Sequence, residues 1–211
     1  MQSMARKKKS SRDSAGFRRR RGQVRSLRQQ LLIVCEGERT EPTYFNSFNA
    51  PKNVVTVVGV GGDPLQLIAE AIQRQMEATR SGLPYDQVWC VFDRDSWTRQ
   101  RFMQAIDAAA GANFRVAYSN EAFELWYLLH FDFHNTAISR DTYKERLTRK
   151  LGFEYRKNHP DMYSILKNRQ ALAIKYAENL LAQYEPCDPA NDNPSTTVHL
   201  LVQELNKHAR P

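Results

Sequence analysis

Two apolar runs in this chain end in clustered carboxylates. Leu31-Leu32-Ile33-Val34-Cys35 leads directly into Glu36-Gly37-Glu38-Arg39-Thr40-Glu41, and Val88-Trp89-Cys90-Val91-Phe92 leads into Asp93-Arg94-Asp95. Buried strands ordinarily give way to Gly, Ser or Asn turns. Carboxylates gathered at such range repel one another unless a cation lies among them. An all-oxygen donor set without His or Cys suits Mg²⁺ or Mn²⁺ rather than zinc. A hard cation held by a few carboxylates polarises a phosphoryl oxygen and makes an attacking water more acidic. Phosphodiester chemistry is the chemistry these residues suit.

The elements that would position those acids follow from the pattern between residues 31 and 131. Strands are predicted at 31–35, 54–58, 87–92 and 114–118, the second β-branched throughout and read as buried. Helices are predicted near 41–49, 64–80, 97–109 and 121–131. Asp63-Pro64 supplies an N-cap and first-turn pair for the second of these, and Ser81-Gly82 ends it. Alternation of this kind predicts an α/β domain, a parallel sheet flanked by helices on both faces. Beyond residue 131 the pattern is helical, with helices at 142–150, 163–183 and 196–206 and a polar loop through Pro186, Pro189 and Pro194. In open α/β sheets ligands bind outside the carboxyl ends of the strands. That rim would gather Glu36, Asp93, Asp95, Asn120 and Glu121, with Glu41 and Glu124 on the helices that follow.

Charge divides the chain further. The net charge is +8, yet residues 1–30 hold eleven Lys or Arg and one Asp, while the remainder holds 20 basic and 22 acidic residues. Residues 1–29 thus read as a basic, disordered tail, suited to phosphate backbones or merely solubilising. Residues 30–131 form the α/β domain and 132–211 a helical extension packed on it. No apolar stretch approaches the roughly 20 residues of a membrane span, and no signal peptide is evident. Three cysteines, two of them in predicted buried strands, argue against a disulfide scaffold and for a reducing cytoplasm.

Each candidate has a plainer reading beside it. Asp95 could cap the next helix, Glu41 could be a first-turn acid, and Arg94 is read as a salt-bridge partner pointing away from the acids. Gly59, Gly61 and Gly62 lack the spacing of a phosphate loop and read as a tight turn. His130 and His134 stand at i,i+4 but among aromatics, and read as core or surface histidines rather than a zinc pair. Phe123, Leu125, Trp126, Leu128 and Leu129 read as buried core. Lys167, Arg169 and Lys175 could hold a nucleic-acid backbone or simply form a solvated helix face.

Glu36-Gly37 after one strand and Asp93-x-Asp95 after a later one resemble the Toprim domain of topoisomerases, primases and related nucleases. More narrowly, the segment Ile33–Phe45 resembles the opening of the RloB-like family. So do Gly61-Gly62-Asp63-Pro64, Asn120–Phe131 and Asn193-Pro194-Ser195-Thr196. The resemblance covers roughly residues 30–208. It implies a Toprim-like fold in bacterial anti-phage loci, often beside an ATPase of the ABC or AAA type. It further implies Glu36 as general base or metal ligand and Asp93 and Asp95 as the metal-binding pair. Glu41 would match a second acid of the nuclease branch, displaced by one residue. Glu124 is a candidate ligand for a second metal.

The expectation is therefore a Mg²⁺- or Mn²⁺-dependent nuclease acting on DNA or RNA, with Glu36, Asp93 and Asp95 catalytic. The competing expectation is a non-catalytic regulatory or adaptor subunit that docks an ATPase. An RNA-processing enzyme like the small Toprim maturases differs only in substrate. Homo-oligomerisation stays open.

Overall fold

The computed structural model describes residues 29–51, 54–95 and 97–209. The basic tail lies outside the described residues, apart from Gln29.

Four parallel strands and one short antiparallel strand make a single sheet in the order β2-β1-β3-β4-β5. They are β1 (Leu31–Cys35), β2 (Val55–Gly59), β3 (Gln87–Asp93), β4 (Arg115–Asn120) and β5 (Ser195–Thr196). β1 pairs in parallel with β2 on one side and β3 on the other, in register from Leu31 opposite Val55 and Gln87. β3 pairs with β4 from Trp89 opposite Arg115, and β5 runs antiparallel to the end of β4. The helices are α1 (Thr40–Asn46), α2 (Pro64–Arg80), α3 (Arg99–Gly111), α4 (Glu124–Leu128), α5 (Arg140–Leu151), α6 (Met162–Leu166), α7 (Gln170–Leu181) and α8 (Val198–His208). The sheet is the α/β arrangement read from the sequence, and is consistent with a Toprim-like fold.

Alternate residues of the strands face opposite layers. Leu32, Val34, Val88, Cys90 and Phe92 pack with α2 and α3 through Leu67, Ile68, Phe102 and Ala105. Ile33, Cys35, Trp89 and Val91 pack on the other side with Tyr44, Phe45, Trp126, Leu147, Ala173 and Leu201. That second layer joins residues on both sides of position 131 into one core. Both faces are covered, which explains strands that are apolar throughout. Cys35 and Cys90 are buried within them as free thiols.

Several local expectations shift. β2 is only half-buried along its length, because it forms an edge of the sheet. The run 163–183 is not one helix: a 3-10 turn at Lys167–Arg169 separates α6 from α7. The segment after residue 131 does contain a strand, since Ser195 and Thr196 pair with β4 before α8 begins. The helix read at 121–131 is a single turn of regular helix, though residues Ala122–His130 are all buried. The Asp63 cap is as read: its Oδ1 accepts from the backbone N–H groups of Leu65 and Gln66. Among the described residues no helix is long and apolar enough to cross a membrane.

Candidate carboxylate centre

Strand order reverses between β1 and β3, since the chain leaves β1 for β2 on one side and returns to β3 on the other. Such a switch point opens a crevice at the carboxyl ends of the two strands. Glu36 follows β1 there and Asp93 ends β3. The Glu36 N–H donates to Val91 O at 2.8 Å, which continues the strand pairing and fixes its backbone. Both of its carboxylate oxygens are held: Oε2 accepts from the Asp93 N–H at 3.0 Å and Oε1 from Trp97 Nε1 at 3.0 Å.

Asp93 reaches the opposite way. Its Oδ2 accepts from the backbone N–H of Phe123 at 3.1 Å, tying the end of β3 to the turn before α4. Asp95 follows at φ +38°, a backbone region that non-glycine residues enter rarely. Its N–H donates to Glu121 O at 3.1 Å. Asp95 does not cap α3, a task Thr98 performs through its hydroxyl. Arg94 does turn away from the acids, but to the Ala190 carbonyl and the face of Phe102 rather than to a carboxylate.

Two buried glutamates complete the rim. Glu41 sits in the first turn of α1 and Glu124 opens α4; they are 8% and 6% exposed. Glu124 Oε1 accepts from the Tyr155 hydroxyl at 3.2 Å. Glu41 Oε2 is buried with no hydrogen-bond partner. A Cβ on Gly37 would overlap that Glu41 carboxylate, so the glycine of the Glu36-Gly37 pair makes room for the second acid. A Cβ on Gly59 would meet backbone instead, Gly37 O at 2.6 Å, so this glycine allows the β2 end to approach the Glu36 turn.

These acids are close enough to disturb one another. Burial pushes Asp93 well above the usual carboxylate range, and Glu41, Glu124 and Glu36 push the same way against Arg140. Glu41 is lifted to about 7, mainly by burial and further by the charges of Glu124 and Glu36, against its own backbone N–H and Lys157. Burial raises Glu36 despite the hydrogen bonds from Asp93 and Trp97; Asp95 adds to the rise and Arg140 offsets part of it. Arg140 is the cation in contact: its Nη2 lies 2.9 Å from Asp95 Oδ2 and 3.6 Å from Asp93 Oδ2. It stands at the first position of α5, placed by the Ser139 cap.

The structure therefore gathers Glu36, Glu41, Asp93 and Glu124 at one rim, with Asp95 joined through Arg140. Among the described residues, no three His, Cys, Asp or Glu side chains are grouped so as to hold a metal ion as they stand. Their donor chemistry nonetheless fits a hard cation: mutually repelling oxygens, one of them buried and unpartnered. Lys167, Arg169 and Lys175 do not join the rim; all three are exposed and Arg169 lies over Phe131 at 4.9 Å. His130 and His134 form no zinc pair: His130 Nδ1 lies 2.9 Å from Trp126 O, and His134 Nδ1 accepts from Arg146.

Sequence reasoning missed Arg140, Trp97, Tyr155 and Lys157. Trp97 stands two residues past Asp95 and could have been found by proximity. The others lie beyond residue 131, and nothing in their local pattern points at the acids.

Comparison with known proteins gives one match. The model of the family described as RloB-like protein matches residues 31–205. No curated protein and no solved structure matches.

Proposed function

The chain belongs to the RloB-like family, and on that premise we propose that it is a metal-dependent nuclease acting in bacterial anti-phage defence with an ATPase partner. The observation that carries this reading is the under-compensated rim: burial and neighbouring carboxylates raise the proton affinity of Glu36, Glu41 and Asp93 while an oxygen of Glu41 stays unpartnered. Perturbed carboxylates in a crevice mark functional sites, because a fold has no structural reason to keep them so.

Mg²⁺ or Mn²⁺ would be held by Glu36, Glu41, Asp93 and Glu124 with Asp95 beside them, and when bound it neutralises these charges and polarises a phosphoryl oxygen. Glu36 is oriented by two donors and lifted toward neutrality by burial, which suits it to accept the proton of an attacking water. Arg140 reaches Asp93 and Asp95 with Nη2; its Nε is buried, which leaves Nη1 for a phosphodiester oxygen. Asp93 couples the end of β3 to the Phe123 turn and so holds Glu124 in place.

The test is cleavage of plasmid DNA, single-stranded DNA and tRNA by the full chain with Mn²⁺, alone and with an ATPase encoded beside it. Metal-dependent cleavage that Asp93→Ala abolishes is expected. No cleavage with any metal or partner, or cleavage indifferent to Asp93→Ala, overturns the reading. A second reading, a non-catalytic subunit docking an ATPase, draws on the Arg140 contacts, which let Asp93 and Asp95 be partly neutralised by the protein itself. Calorimetric titration with Mn²⁺ separates the two, since a docking subunit shows no carboxylate-dependent heat.

A further inference from the structure

Away from the acid rim, a pocket of about 570 Å³ lies between the end of α4 and the outer half of α5. Leu128 lies at its wall, and Asp132, His134, Arg146, Arg149 and Lys150 supply its polar lining. The charges do not cancel. Lys150 pairs with Asp132 at 2.5 Å, whereas Arg146 and Arg149 have no carboxylate within ion-pair distance among the described residues. Arg146 is held in position by its Nη1, which donates to His134 Nδ1 at 3.1 Å. Since a guanidinium can only donate, the ring nitrogen is the acceptor, and the histidine is a neutral strut rather than another cation. Burial and the Arg146 charge both hold His134 below its ordinary proton affinity. An aromatic ring shares the lining: Phe133 is 39% exposed and tilted against Tyr176 at 5.5 Å.

The same helix carries Arg140 at the carboxylate centre. From Arg140 to Arg149 the α5 axis advances about 13 Å, and nine positions of helix carry Arg149 round to the other face, so the pocket is separate from the carboxylate centre. We propose that the α5 pocket is a binding subsite for the backbone of a single-stranded nucleic-acid segment, with Arg146 and Arg149 on phosphates and Phe133 against a base. Unpaired guanidiniums recognise phosphate oxygens through their planar donor fork. An exposed aromatic beside them distinguishes a strand from a simple anion, because every base offers a face for stacking. The subsite rests on the nuclease reading for its purpose, but its binding does not depend on catalysis. It also moves the nucleic-acid contact to α5, away from Lys167, Arg169 and Lys175 on the 3-10 turn and α7.

The experiment uses the full chain in excess chelator, where the proposed cleavage cannot occur. Fluorescence anisotropy follows a short labelled oligothymidine, and a duplex of the same length, across a salt series. Arg149→Glu is expected to weaken single-strand binding roughly tenfold, and Arg149→Ala to lower the salt slope by about one. Arg149→Lys should recover most of the affinity, which separates lost charge from lost structure. Phe133→Ala should weaken the single strand and leave the duplex unchanged, while Lys175→Ala alters neither. The basic terminus gives every variant the same background. Wild-type affinity and slope in Arg149→Glu overturn the subsite; equal binding of duplex with an indifferent Phe133→Ala overturns its single-strand character. Failure of the nuclease reading has a different signature, Arg149-dependent binding without any metal-dependent cleavage.

Discussion

Glu204 and the acids of the switch point are buried or half-buried carboxylates at opposite ends of one sheet, and the chain treats them differently. Glu204 on α8 is 5% exposed, close to the 8% of Glu41. It lies where the strands begin, beside Gln87 and Arg115, the first residues of β3 and β4. Lys207 Nζ approaches it at 2.8 Å, Gln87 Nε2 at 3.1 Å, His208 Nε2 at 3.4 Å and Arg115 at 3.9 Å. Burial pushes Glu204 up, but these donors and the Lys207 charge outweigh it and the net shift is downward. At the other end Glu41 is buried and Asp93 half-buried, with Arg140 and Lys157 as the opposing charges, and their net shift is upward. This fold can neutralise a buried carboxylate when its role is structural. The other end is left under-compensated, which supports the proposed cation-binding role.

Substitutions at the two ends should separate along that line. The largest contrast is in turnover. Asp93→Asn should lower metal-dependent cleavage at least about 100-fold, whereas Glu204→Gln, on the far side of the sheet, should leave the rate near wild type. Equal losses in a cleavage assay would break the distinction.

The next contrast is in the sign of pH dependence. Glu41 has its folded pKa raised from 4.5 to about 7. A group shifted that way binds more protons folded than unfolded. Its stabilising contribution is full below about pH 4.5 and is lost as pH climbs through 7. Glu204 is shifted downward, so its contribution is present above its unfolded pKa and is lost as pH falls through the folded one. Metal-free protein should thus lose on the order of 2–3 kcal/mol between pH 5 and 8 from Glu41 alone. Glu41→Gln should flatten that slope in chemical denaturation and raise stability at pH 8. A slope unchanged in Glu41→Gln would remove the basis for calling the rim under-compensated.

Glu204→Ala should cost about 1–3 kcal/mol at neutral pH, because Gln87 and the cations of α8 and β4 lose their acceptor. Thermal unfolding against Glu41→Ala, expected to cost less at the same pH, sharpens the comparison. The smallest effect on the fold belongs to Gly37→Ala. The added methyl meets the free end of the Glu41 side chain rather than backbone, so the stability change should stay within about 1 kcal/mol. Mn²⁺ affinity should still fall measurably by calorimetry. Gly59→Ala, which meets backbone, should instead destabilise the fold.

Much of this was legible in the chain because it is local. Apolar runs of β-branched and aromatic residues mark strands, and Asp63-Pro64 marks the start of α2, since a cap acts on N–H groups two and three residues away. The rim acids were legible because each stands at a strand end or in the next first turn. Other features were not. The break at Lys167–Arg169 carries no Gly or Pro, and the Ser195–Thr196 pairing is too short to announce itself against the helix that follows. Arg140 meets Asp93 only through the packing of α5, which depends on the fit of Tyr143 and Leu147 into a core built from the strands.

The residues alone determined which acids exist, which sheet end they occupy and which oxygen chemistry they offer, because strand periodicity and turn chemistry act over a few positions. Only the tertiary structure decided the balance of charge around them. Proton affinity depends on burial and on every neighbour within a few ångströms, and those neighbours come from segments that sequence separation leaves unrelated. That is why one end of the sheet holds a neutralised glutamate and the other holds acids whose proton affinity is raised.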